Sequence, residues 1–213
     1  GYGMDLLIKN GWIVTAEEVF SGDIGVADGR IALIGEHLDL PAKAVVDAAG
    51  KYVLPGAIDA HTHLAMPFGG TVSADGYLAG TRAAASGGVT TVFDYPMQRK
   101  GKGILETVEA RRALCGPEAC VDFAFHCIVT DLTGGALLDE FQAAADYGIT
   151  SFKCFMVYKK EGMMVDDGTF IKVLRRAAEV GAITNIHAEN PDVIDMNVRS
   201  EERRVGKECR SRW

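Results

Sequence analysis

His61 and His63 are the residues whose type and spacing most readily do chemistry, and they stand two apart in Leu54-Pro55-Gly56-Ala57-Ile58-Asp59-Ala60-His61-Thr62-His63-Leu64. Ala57, Ile58 and Ala60 give this stretch an apolar body and Pro55-Gly56 punctuates its start, so it reads as a buried strand ending in two histidines. Side chains at i and i+2 of a strand share a face. Neutral imidazoles converging from one rigid strand make half of a metal site; the alternative is two partly buried histidines at a strand end. Lys153, centred in the apolar run Thr150-Ser151-Phe152-Lys153-Cys154-Phe155-Met156-Val157-Tyr158, is expensive to bury as an ammonium unless it is neutral, paired or modified. A buried ion pair, or a lysine that snorkels to water, is the other account of it. His187 closes Ile183-Thr184-Asn185-Ile186-His187. Tyr158, five residues past the lysine, could aim a phenol at a bound substrate or simply pack.

These side chains need a scaffold of strands. Up to about residue 53 the pattern is one of short strands and turns. Residues 5–9, 12–15, 22–27, 30–35 and 44–47 each read as a strand, separated by Asn10-Gly11, Asp28-Gly29 and similar turns. This β module carries no reactive constellation, and His37 within it reads as an ordinary surface histidine. From Gly56 onward strands and helices alternate. A loop over 65–72 follows the histidine strand, Ser73 offers an N-cap to an Ala-rich helix, and Gly87-Gly88 ends that helix. Further strands are expected over 89–95, 121–130, 151–157 and 183–187, with helices over 104–115, 136–147 and 169–180. Repeated strand–helix units with short connections imply parallel strands in an α/β layer or barrel. Residues 56–198 hold about five such units, whereas a complete eight-fold barrel takes about 250 residues, so either the sheet is open or a barrel is cut.

With 48% hydrophobic residues and 8% aromatic, the 213-residue chain has the composition of a globular protein able to bury a core. Its formal charge of -7, without a basic stripe, argues against a nucleic-acid surface. No apolar run is long enough to span a bilayer, and no secretory leader precedes the first strand. Cys115, Cys120, Cys127, Cys154 and Cys209 form no Cys-x-x-Cys pair and read as reduced thiols, most of them packing residues, in a cytoplasmic protein. Residues 199–213 have no apolar period and look like a translated sequencing-adapter read, hence a foreign tail; the alternative is a basic, solvated tail that binds an acidic partner.

The histidine stretch does not stand alone. Together with Met66-Pro67-Phe68-Gly69-Gly70-Thr71, Ser151-Phe152-Lys153 through Tyr158, and His187-Ala188-Glu189-Asn190, it resembles the amidohydrolase superfamily and, within it, the hydantoinase/dihydropyrimidinase family, from about Met4 to Val198. Related dihydroorotases and allantoinases usually show Glu-Pro-Gly after the His-x-His; the Met66-Pro67-Phe68-Gly69-Gly70 here leans towards hydantoinase-type rings. The resemblance implies an incomplete TIM-type (β/α) barrel over residues 56–198, about five of eight units, preceded by the N-terminal part of a β-sandwich module over 4–55. It implies hydrolysis of a cyclic amide, a hydantoin or dihydropyrimidine ring, by a hydroxide bridging two divalent metal ions, usually zinc. Lys153, N6-carboxylated (carbamylated), would bridge the metals, with His61 and His63 on the first and His187 on the second. Tyr158 would hydrogen-bond the developing oxyanion, Met66 and Phe68 would line the pocket for the ring substituent, and Asp59 would orient its histidine neighbours. His126, ending the third strand, is given a structural role.

The family draws a further histidine from a sixth strand and an aspartate from an eighth, and neither is present in this sequence. The chain as written is therefore expected to be an inactive fragment, and the full-length form a homo-tetramer. Two other readings stand beside this one. A dihydropyrimidinase-related assembly protein, like the neuronal collapsin-response mediators, would be non-catalytic; such relatives generally lack the metal ligands. A dihydroorotase- or allantoinase-type hydrolase would differ in substrate.

Overall fold

The computed structural model describes the backbone of residues 3–68 and 70–210, without the side chains of Phe68, Gly135, Ala136 and residues 202–210. Two compact units divide it, Gly1–Gly56 and Ala57–Trp213. The first is a sheet of β1 (Met4–Val14), β2 (Val19–Ala27), β3 (Arg30–Gly35), β4 (Ala42–Asp47) and β5 (Tyr52–Val53). Its order is β3-β2-β1-β4, with β5 also paired to β1. Asp28 and Gly29 take φ 51° and 71° while Ala27 pairs with Arg30, the two-residue hairpin that needs left-handed backbone at both positions.

Asn10-Gly11 does not turn the chain as expected. β1 runs straight through it, with a register shift between Ile8 and Gly11. Asn10 is left-handed at φ 63°, its N–H donates to Asp23 Oδ1 at 2.7 Å, and its side-chain amide donates to Asp47 Oδ1 at 2.9 Å. Those two distant carboxylates hold the residue as a β-bulge inside one strand.

The second unit alternates strands and helices. β6 (Ala57–Asp59) is followed by a hairpin of β7 (Pro67–Phe68) and β8 (Thr71–Val72), then α1 (Tyr77–Ser86) and β9 (Val89–Asp94). Next come α2 (Ile104–Cys115), β10 (Asp122–Phe125), β11 (Cys127–Ile128), a 3-10 turn (Gly135–Leu138) and α3 (Glu140–Asp146). β12 (Ser151–Phe155), α4 (Asp167–Glu179), β13 (Ile183–His187) and α5 (Pro191–Arg210) complete it. β6, β9 and β10 pair in parallel, as do β11, β12 and β13, so strands lie side by side in the order of the chain. The helices pack the layer from one apolar face each: Ile104 and Val108 of α2, Phe141 and Ala144 of α3, and Val173 and Ala177 of α4 are buried with Cys127, Phe152 and Cys154 of the strands. Asp166 caps α4, accepting the Thr169 N–H at 2.6 Å.

Several expectations fail for physical reasons. The histidine strand is neither long nor buried. β6 is three residues, all exposed, and Ile58 is 64% exposed. Among the described residues β6 pairs only with β9, so its other edge faces solvent. Ser73 is not the helix cap: α1 starts at Gly76 without a side-chain cap, and Ser73 Oγ instead accepts the Met66 N–H at 2.8 Å, folding the expected loop into β7–β8. The third strand breaks at His126, where pairing passes from β9 to β12. The expected 136–147 helix is a 3-10 turn and then α3; Gly134-Gly135 disfavours an early α start. Glu140 at the head of α3 turns its carboxylate to the N–H of Ile104, at 2.6 Å.

The backbone of residues 199–210 continues α5 rather than leaving as a loop, while 211–213 lie outside the described residues. Asn190 and Pro191 start that helix, with Asn190 Oδ1 accepting the N–H of Asp192 at 3.0 Å and of Val193 at 3.1 Å. Among the described residues no helix is long and apolar enough to cross a membrane.

Candidate metal centre

Past β6 the chain runs on beside β9. Thr62 donates to the Phe93 carbonyl twice, from its N–H and from Oγ1, each at 2.9 Å. His61 and His63, on either side of Thr62, converge: their Nε2 atoms are 3.1 Å apart and their rings meet edge-on at 76°. A tetrahedral zinc with Zn–N of about 2.0–2.1 Å sets ligand nitrogens about 3.3 Å apart, so the pair fits one metal ion. Burial, followed by the neighbouring His61, lowers the His63 pKa and keeps its ring neutral, the form that ligates. Asp59 Oδ1 accepts the His61 backbone N–H at 3.1 Å. It orients the main chain at His61 rather than an imidazole ring.

The turn after His63 is clamped from below. Asp94, 1% exposed at the end of β9, accepts from Arg111 Nε of α2 at 2.8 Å, from the Tyr77 hydroxyl of α1, and from the Leu64 N–H at 3.3 Å. Arg111 also donates to the carbonyls of Leu64 and Ala65. Its guanidinium lies 5.1 Å from the Tyr77 ring centroid. Burial, reinforced by the bond to Asp94, raises the Tyr77 pKa far above the usual phenol value, so Tyr77 stays a donor.

Lys153 is 6% exposed, with Nζ 5.6 Å from the centroid of Tyr95 and 5.4 Å from that of Phe155. Among the described residues it has no carboxylate partner, and burial lowers its pKa. Neither the buried ion pair nor the snorkelling lysine describes it. The same Tyr95 ring lies 4.7 Å from His61, 4.8 Å from His63 and 5.0 Å from His126, so one aromatic floor joins the histidine pair to the lysine.

His187 ends β13 opposite Phe155, its ring 5.5 Å from Phe155 and 5.4 Å from Tyr158. Its Nε2 is held by Glu189 Oε2 at 2.7 Å. Tyr158 takes a left-handed backbone, φ 65°, that turns its ring back onto Phe155. The structure thus gathers His61, His63 and Lys153 around Tyr95, and His187 and Tyr158 around Phe155, with Lys153 between the two rings. Met66 packs against the cluster containing Tyr95 and Phe155 and lines a neighbouring cleft of about 320 Å³ with Pro67, Met97, Arg99 and Arg111. The Phe68 side chain lies outside the described residues. Among the described residues no three His, Cys, Asp or Glu side chains form a ready metal cage. Sequence reasoning missed Asp94 and Tyr95. Their signal was position: both close an apolar β-branched strand, where strand-end chemistry is expected.

A mixed α/β layer with this constellation at its strand ends has a known family. The amidohydrolase family model matches residues 52–205, and the chain belongs to that family, which generally uses a binuclear metal centre. It is 45% identical over 192 residues to the D-hydantoinase of Geobacillus stearothermophilus, covering 90% of this chain and 41% of that protein. It is 38% identical over 194 residues to the dihydropyrimidinase of Rattus norvegicus, covering 89% of this chain and 37% of that protein. The crystal structure of dihydropyrimidinase from Brevibacillus agri superposes with a TM-score of 0.86 at 40% identity, covering 91% of this chain and 42% of that one. The chain spans about 41% of the length of the D-hydantoinase it matches.

Proposed function

We propose that this chain is part of a metal-dependent hydrolase of cyclic amides, acting on hydantoin or dihydropyrimidine rings. The observation that carries the reading is the 3.1 Å convergence of His61 and His63 Nε2 beside a buried Lys153 that has no carboxylate partner among the described residues. Likeness to proteins named D-hydantoinase and dihydropyrimidinase supports the substrate class. Parallel strands in chain order, joined by helices, support a partial (β/α) barrel over 56–198, after part of a β-sandwich module over 4–55.

His61 and His63 would hold a first divalent metal, most often zinc, His187 a second, and carboxylated Lys153 would reach both. When bound, such cations lower the pKa of water and polarise a carbonyl oxygen. The chain's own residues do the rest. Burial lowers the Lys153 pKa and so favours the neutral amine, the form that adds carbon dioxide and, on losing a proton to solvent, becomes an anionic oxygen donor. That conversion also removes the cost of an uncompensated buried cation. Tyr158 would donate its hydroxyl to the oxyanion as the ring carbonyl is attacked. Met66 and Phe68 would line the space for the ring substituent, and Asp59 would fix the backbone that carries His61. Free, buried Cys115, Cys127 and Cys154, each pushed up to about 12 by burial, support a cytoplasmic protein.

The test is metal analysis of a full-length version prepared with zinc and bicarbonate, alongside a substrate panel of hydantoin, dihydrouracil, dihydroorotate and allantoin. Zinc retained by the parent and lost in His61→Ala and His63→Ala supports the hydrolase reading. A full-length parent that binds no metal supports the non-catalytic assembly reading instead.

A further inference from the structure

We infer that His126, Asn185 and Ser151 form a hydrogen-bonded positioning layer directly beneath the metal centre. It sets the relative placement of strands that would deliver ligands to different sides of the site. The inference rests on the proposed metal-centre reading and assigns work to residues that reading leaves idle.

The layer is continuous. His126 Nε2 lies 3.1 Å from the Ala60 carbonyl, and its Nδ1 lies 3.5 Å from Asn185 Nδ2. The same amide nitrogen donates to Ser151 Oγ at 2.6 Å. A carbonyl oxygen only accepts, so Nε2 carries the proton and Nδ1 is left to accept from Asn185. Each anchor stands just upstream of a proposed ligand: Ala60 before His61, Ser151 two before Lys153, and Asn185 two before His187. Strand side chains repeat every two residues, so Ser151 shares a face with Lys153, and Asn185 with His187. Lys153 and Asn185 are themselves partners in the β12–β13 register.

The His126 ring is fixed independently of these bonds. It stacks on Phe93 at 4.8 Å and leans on Tyr95 at 5.0 Å, the ring that also floors His61 and His63. It occupies the break between β10 and β11, where pairing passes from one set of three strands to the other. Among the described residues β6 has no backbone pairing with β12 or β13. His126 therefore supplies a side-chain tie from the strand leading to the histidine pair towards the two strands that carry Lys153 and His187. A half-buried ring that merely packed would not need both nitrogens directed at these partners.

Two measurements on the 213-residue chain test this. In the metal-free chain, imidazole nitrogen NMR should show His126 as the Nε2–H tautomer; the Nδ1–H tautomer would overturn the layer without reference to any metal. For zinc, competition with a chromogenic chelator should show affinity about 10–100-fold weaker in His126→Phe, which keeps the stacked ring and loses both hydrogen bonds. Far-UV circular dichroism should stay parental, and His126→Gln, which restores a donor and an acceptor, should recover most of the loss. Parental zinc affinity in a folded His126→Phe would reduce the residue to packing and sink the proposal. If His126→Phe does not fold, Ser151→Ala is read in its place, with weakened zinc binding supporting the layer and unchanged binding overturning it. A parent chain that binds no zinc but shows the Nε2–H tautomer would defeat the metal reading and with it any positioning role.

Discussion

Asp94→Asn is the most informative single change outside the ligands. Asp94 and Arg111 are a buried pair, with side chains 1% and 11% exposed and 2.8 Å apart. Asparagine keeps the shape but leaves the largely buried guanidinium without a counter-charge. Breaking one side of a buried pair costs about 3–5 kcal/mol. For a unit of this size each kcal/mol moves the melting temperature by about 2–4 °C, so the midpoint should fall by about 6–20 °C. The assay is thermal unfolding followed by circular dichroism, with zinc affinity measured below the transition. Because Arg111 also holds the Leu64 and Ala65 carbonyls, zinc binding through the adjacent His63 should weaken as well. Adding Arg111→Met to Asp94→Asn removes both charges and should recover part of the stability, since apolar replacement of a whole buried pair is often neutral or better. An Asp94→Asn chain melting within about 2 °C of the parent would refute the clamp.

Other consequences follow from the same packing. A Cβ at Gly80 of α1 would run into the Leu64 side chain, so Gly80→Ala should displace Leu64 and weaken zinc binding through the adjacent His63, its cost in stability offset by about 1 kcal/mol of gained helix propensity; unchanged zinc affinity would contradict the close approach. Lys153→Met removes a buried amine with no carboxylate partner among the described residues, and should stabilise the metal-free chain by about 0.5–2 kcal/mol while abolishing zinc retention. A destabilised variant would mean that the lysine has a partner worth more than its desolvation. Burial lowers the pKa of His63 and of His126, so the unfolded chain takes up protons first as pH falls. The stability of the metal-free chain should therefore be fully present above about pH 6.5 and decline below it, levelling once the folded-state values are passed; a urea midpoint that rises between pH 7 and 5 would reverse the sign.

Local chemistry made much of this fold legible. Asp28-Gly29 announces its hairpin because the turn needs left-handed residues and nothing else, and α2 and β13 have the bounds that periodicity suggests. Asn10-Gly11 carries the same local signal and becomes a bulge, because Asp23 and Asp47, distant in sequence, capture it. The apolar residues before His61 looked like burial; they belong to an edge strand, and edge status is a property of pairing that no short window contains. Around the candidate site, His-x-His spacing and a lysine in an apolar strand were visible as chemistry. Tyr95, Asp94 and the His126–Asn185–Ser151 layer were not, because each acquires its meaning only from residues brought together by parallel packing.

The most direct test is a zinc-edge anomalous difference map from crystals of the chain grown with zinc and bicarbonate. The account predicts a peak within bonding distance, about 2.0–2.2 Å, of His61 Nε2, His63 Nε2 and an oxygen of carboxylated Lys153. An empty pair of histidines beside an unmodified Lys153, or zinc bound elsewhere, would contradict it.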